Sequence, residues 1–226
     1  RVNWRLNYPS KRGERLQSST RRGFNRGGGI MVTPGTYSVT LEKRINGIHT
    51  TLQNPVNFEV VPLFEGTLPR KSNKEINDFR EEVHAFQQDL TSTNISLSNS
   101  LKTLNAMLRA LNKAPRPTNE LFKKLNDTKT MLLDIDKELH GNSVKDEIGE
   151  RSNPTASDGG SLGWTAFGNT YGPTDEHMRL LYRVKSQLKK VKNKLYPIVN
   201  SKLSILRNEL IKTGAPWIEG QGLIQD

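Results

Sequence analysis

SNKEINDFREEVHAFQQDLTSTNISLSNSLKTLNAMLRAL, residues 72–111, decides how the chain is read. Ile76, Val83, Leu90, Leu97, Leu104 and Leu111 recur every seven residues, and Phe79, Phe86, Thr93, Ser100 and Met107 make a companion row. A seven-residue apolar repeat kept over this length specifies a long helix packed in a left-handed bundle. Ser72 with Glu75 three residues later forms a capping box at its start. Polar Thr93 and Ser100 weaken the middle of the seam or let a neighbouring helix approach.

Downstream, Ala114-Pro115-Arg116-Pro117-Thr118 ends this helix, since proline supplies no backbone donor. A second helix is predicted over 119–140, on the spacing of Leu121, Leu125, Thr128, Leu132, Ile135 and Leu139, with Gly141 as its stop. Residues 141–173 lack helical periodicity and read as a loop. Its aromatics, Trp164, Phe167 and Tyr171, are expected to pack part of it on a neighbouring surface. A third helix is predicted over 174–213, with the acids Asp175 and Glu176 in its first turn. Pro197 sits inside its stripe of Leu181, Val184, Leu188, Val191, Leu195 and Ile198. A kink is expected there, with the stripe resuming out of phase at Val199, Leu203, Leu206 and Leu210.

Upstream the period changes to two. Val2, Trp4, Leu6 and Tyr8 alternate with polar residues, so a strand is predicted over 1–8. Residues 9–29 are rich in Arg, Gly and Ser and read as a long loop. Thr36–Lys43 is a strand with Tyr37, Val39 and Leu41 on one face. Asn46-Gly47 predicts a hairpin turn to His49–Leu52, and Val56, Phe58 and Val60 form a last strand. The fold expected from this order is α+β by segments. A small antiparallel β-sandwich of immunoglobulin or fibronectin type occupies 1–62, a linker 63–71, and an antiparallel three-helix bundle of long helices 72–226.

Composition narrows the chemistry. The 226 residues contain no cysteine, which excludes disulfides, thiolate nucleophiles and Cys-ligated zinc. No run approaches the ~20 apolar residues that span a bilayer. The chain opens with Arg1 inside an expected strand, so a longer parent is expected. The net charge of +11 is concentrated in two places: eight cations against one acid in 1–29, and ten against three in 174–214. Such a distribution favours an anionic partner.

No catalytic constellation stands out. His49, His84, His140 and His177 lie on four different expected elements without metal-ligand spacing. Gly27-Gly28-Gly29 lacks the phosphate-loop pattern, there is no Gly-x-Ser-x-Gly elbow, and Asp134, Asp136 and Glu138 read as a solvated acidic face. No cofactor or metal is expected. The candidate contact residues are Arg21, Arg22 and Arg26 in the Arg-rich loop and Lys185, Lys189 and Lys192 on the third helix. The lysines form a ridge that is either an anion-binding face or a solubilising one. They are read as lacking the interleaved aromatics that single-strand binding uses.

Trp4-Arg5-Leu6-Asn7-Tyr8-Pro9, followed after a Gly-rich gap by Pro34-Gly35-Thr36-Tyr37-Ser38-Val39-Thr40-Leu41, resembles the C-terminal region of large exported sortilin/VPS10-like, sialidase-like β-propeller proteins of Bacteroidota. The resemblance implies export to the cell surface or beyond, a small sandwich and helical segment after a propeller, and any glycan-cleaving site in the propeller. No catalytic residue carries over. The expected role is a non-catalytic accessory or docking module that makes protein–protein contacts in a surface or secretion-associated assembly. The alternatives are a polyanion or nucleic-acid binder acting through the third helix, and an accessory part of a propeller glycoside hydrolase.

Overall fold

A computed structural model of the chain describes residues 3–9, 29–63, 66–150 and 155–222, the side chains of Ser143, Asp146, Thr165 and Phe167 excepted. It contains two compact units. One comprises Arg1–Val83 with Trp164–Thr174, the other His84–Gly163 with Asp175–Asp226.

In the first unit, β1 (Gly35–Val39) pairs antiparallel with β4 (Val56–Val60), and β2 (Glu42–Ile45) with β3 (Ile48–Thr51). The Asn46-Gly47 turn forms as the sequence requires, both residues having positive φ (50° and 83°), the conformation of a two-residue hairpin turn. Leu52 donates its N–H to the Leu41 carbonyl at 2.8 Å and carries the ribbon from one sheet to the next. The expected β-sandwich does not form. Among the described residues there are two sheets of two strands each, with no third strand on either. The nested order β1-β4 and β2-β3 makes one long hairpin, which has only one layer.

The expected first strand is also absent from residues 3–9. Leu6 has φ 57°, a left-handed conformation that interrupts strand geometry in a non-glycine residue. What remains is a bridge between Asn7 and Met31, flanked by Val32 N–H to the Leu6 carbonyl and Tyr8 N–H to the Ile30 carbonyl, both at 2.9 Å. This segment brings Trp4 edge-on to the rings of Tyr37 and Phe58, each centroid 5.8 Å away.

Helix α1 (Asn73–Leu111) starts on the predicted box. Ser72 Oγ accepts from Glu75 N–H at 3.2 Å, and the Glu75 carboxylate accepts from Ser72 N–H at 2.9 Å and Oγ at 2.7 Å. These bonds hold the Glu75 carboxyl below its ordinary pKa. Every residue of the two seven-spaced rows is buried, from Ile76 to Leu111 and from Phe79 to Met107. Thr93 and Ser100 are buried without a partner across the seam, because each hydroxyl donates back to the carbonyl four residues earlier, in Asp89 and Ser96.

Between these rows lies Arg80, buried and without a carboxylate partner among the described residues. Its Nη1 donates to the Met31 carbonyl at 3.0 Å, its Nε to the Ala166 carbonyl at 3.1 Å and its Nη2 to the Asn169 carbonyl at 3.1 Å. Burial, and secondarily neighbouring Arg70, lower its pKa. An arginine remains charged regardless, so a single guanidinium fastens two separate segments of the chain to α1. Lys71 N–H to the Tyr171 carbonyl, Arg70 Nε to the Thr170 carbonyl and Asn77 Nδ2 to Thr33 Oγ1 complete the fastening.

The expected bundle of three long helices is not what the second unit contains. Among the described residues four helices have ten residues or more: α1, α2 (Asn119–His140), α5 (Asp175–Pro197) and α6 (Leu203–Lys212). The residues predicted as a loop over 141–173 form two short helices, α3 (Ser143–Glu147) and α4 (Leu162–Gly168), with a 3₁₀ turn over Ala156–Ser161. That turn packs on α5 and α2. Its Gly159 is buried, and a Cβ there would lie 2.5 Å from the Phe86 ring and 2.8 Å from Val184. Trp164, expected to pack, is instead 87% exposed.

The third predicted helix is divided. After Pro197 comes a π turn, Ile198–Lys202, closed by Leu203 N–H to the Ile198 carbonyl. The reason is in the spacing: buried Leu195 and Ile198 are three apart, but the next buried residue, Leu203, is five further on. An α-helix would turn Leu203 away from the core, and the wider π turn absorbs the extra residue. Lys124 ties α2 to α6 through Glu209 (3.1 Å) and also pairs with Glu120 on its own helix (2.9 Å), and its pKa is raised by these two carboxylates.

Candidate functional site

Helix α5 presents its cations outward. Between Glu176 and Glu209 the sequence holds nine Lys and Arg residues and no acid. The structure separates the three predicted lysines. Lys189 is exposed, Lys192 is half-buried and bonded to Asp89 at 2.8 Å, and Lys185 is exposed and engaged with other groups. Lys194 is drawn to Glu138 and Arg179 to Glu176. Arg183, Lys189 and Lys190 make no ion pair with a described carboxylate. They carry the uncompensated charge of the face. Arg21, Arg22 and Arg26 lie outside the described residues.

Sequence reasoning missed two members of this surface. Tyr182 and Tyr196 are 80% and 70% exposed, and each stands seven residues from Lys189. Seven residues are close to two helical turns, so Tyr182, Lys189 and Tyr196 lie nearly in line along the helix. The face therefore does carry aromatics interleaved with its lysines. The signal was available as a seven-residue spacing outside the apolar stripe.

Tyr196 also borders one of a pair of open grooves beside α1. One, of about 140 Å³, is lined by Ser92, Thr93, Ser96, Lys192, Tyr196 and Asn200 among others. The next, of about 310 Å³, shares Ser96 and Val199 with it and continues to Ser204 and Arg207. The serines and threonines of α1 are too short to fill the space beside the π turn. A third groove, of about 440 Å³, lies between α1 and α2, where Asp136 holds His140 Nδ1 at 3.0 Å.

The ribbon is the other conspicuous surface. Gly35/Val60, Tyr37/Phe58 and Val39/Val56 are register pairs on one face. Trp4 covers only the Tyr37/Phe58 pair. Val39, Leu41, Ile45, Ile48, Leu52 and Val56 are 52–70% exposed.

The four histidines are on β3, α1, α2 and α5, and no group of three or more metal-ligating side chains converges among the described residues. No helix among them is long and apolar enough to cross a membrane. No family model matches the chain, and neither a curated protein nor a solved structure is detectably similar to it.

Proposed function

We propose that the chain is a non-catalytic docking module whose β-ribbon binds an apolar polypeptide surface. The observation behind this reading is the ribbon itself. Two strands alone are marginal in water, and this pair leaves six large aliphatic residues uncovered along its length. Apolar surface of that extent marks a contact site or an aggregation hazard. The resemblance to sortilin-like exported proteins supplies the first partner to try, a β-propeller of the same cell-surface protein. On this reading, any glycan chemistry resides in that propeller.

Titration calorimetry of the chain against such a propeller tests the proposal. Binding should show a negative heat-capacity change, the mark of buried apolar surface, and should persist at high salt. The Val39→Lys/Val56→Lys double variant should abolish it while leaving the helical circular dichroism unchanged. Absence of binding, or binding indifferent to the two lysines, overturns the proposal.

A further inference from the structure

We infer that the outer face of α5 binds single-stranded nucleic acid, with Tyr182 and Tyr196 stacking on bases and the cations between them holding the phosphates. Charge comes first. Arg183, Lys189 and Lys190 pair with no described carboxylate, and no acid occurs on this segment from Met178 to Asn208. A solubilising face usually mixes signs along a helix; this one does not. The aromatic rings come second. A tyrosine left 70–80% exposed on a helix contributes little to the core, yet offers a flat face to a base. Single-strand binders combine these two elements, a cationic track and aromatic platforms.

Geometry joins them. Tyr182 and Tyr196 are fourteen residues apart, about 21 Å along the axis at 1.5 Å per residue, and Lys189 lies midway. Ser186 and Asn193, exposed four residues beyond Tyr182 and Lys189, add uncharged hydrogen-bonding groups beside the same line. Beyond Tyr196, the groove lined by Ser96 and Asn200 continues the path. An acidic glycan or an acidic protein would use the cations but has no base to set on the rings, so the tyrosines discriminate among partners.

The test is fluorescence anisotropy of a labelled oligothymidylate, with heparin and polyglutamate as competitors. Binding is expected at low salt, with log K falling against log salt by roughly 0.7 per phosphate held. Tyr182→Ala and Tyr196→Ala should each weaken binding about tenfold without changing that slope, and Tyr→Phe should restore it. Lys189→Ala/Lys190→Ala should reduce the slope by roughly 1.4. All four positions are exposed, so the variants should fold, as thermal melts would verify. No binding at low salt overturns the inference. So does binding insensitive to both tyrosines, which would leave a bare cationic face of the kind heparin or an acidic protein contacts.

Discussion

The helical unit and the ribbon unit are written with equal regularity, but only one covers what it writes. Along α1 from His84 on, and along α2, α5 and α6, the apolar stripes end up buried; Leu104, Leu125, Leu132, Leu139, Val184 and Leu210 lose all contact with water. Along β1–β4 the period-two alternation is equally clear, yet only Tyr37 and Phe58 find a cover, in Trp4. Periodicity tells which side of an element is apolar. It does not tell whether the chain owns anything to place over it. In the helical unit α2 packs on both α5 and α6, whereas a hairpin folded on itself uses its hydrogen bonds within one layer and has no second.

The sharpest way to break this comparison is to truncate one aliphatic residue in each unit. Leu125→Ala should lower stability by about 3–5 kcal/mol in urea unfolding, as deletion from a closed core does. Ile48→Ala should change it by less than about 0.5 kcal/mol, as at an ordinary surface position. Equal losses would mean that the ribbon is covered in solution.

Arg80 sharpens the comparison from the other side, because the first unit adds a buried polar clasp to its few buried apolar side chains, where the second relies on leucines. Arg80→Ala removes three charge-assisted bonds and leaves three carbonyls to find new donors, a loss of about 2–4 kcal/mol. Hydrogen exchange should accelerate in 29–33 and 164–172 and stay unchanged around α6. Uniform acceleration would show that the clasp is not local.

The smallest effect is at the start of α1. The folded-state pKa of Glu75 is depressed by its bonds to Ser72. Its contribution is therefore present above the unfolded value, ~4.3, and is lost as pH falls through the folded value. Glu75→Gln should flatten the acid limb of the stability–pH curve slightly and leave neutral pH nearly untouched. A change of slope above pH ~6 would contradict this assignment.

What the sequence disclosed follows from which forces are local. The heptads of α1, the caps at Ser72 and Gly141, and the Asn46-Gly47 turn depend on neighbours within one or two turns, and all were readable. The sandwich was not, because it needed a second sheet whose absence no strand announces. Leu6 was missed because alternation says nothing about a left-handed φ. The helices within 141–173 were missed because short segments held by tertiary contacts, such as Gly159 against Phe86, need no periodicity of their own. At the candidate site, the lysines were legible as charge. Their inequality was not, since Asp89 and Glu138 reach Lys192 and Lys194 from distant parts of the chain. Tyr182 and Tyr196 were legible only as a seven-residue spacing outside the buried stripe.

The π turn sets the register of everything after it. Subtract one residue from 198–202, and the interval from Ile198 to Leu203 shrinks from five to four, so the stripe runs three and four throughout. The single wide turn therefore absorbs one surplus residue locally and leaves Leu203, Leu206 and Leu210 in their buried seats. A variant lacking Asn200 should continue as plain α-helix through this turn with the same three leucines inside. The wide turn is thus separable from the stripe that it interrupts.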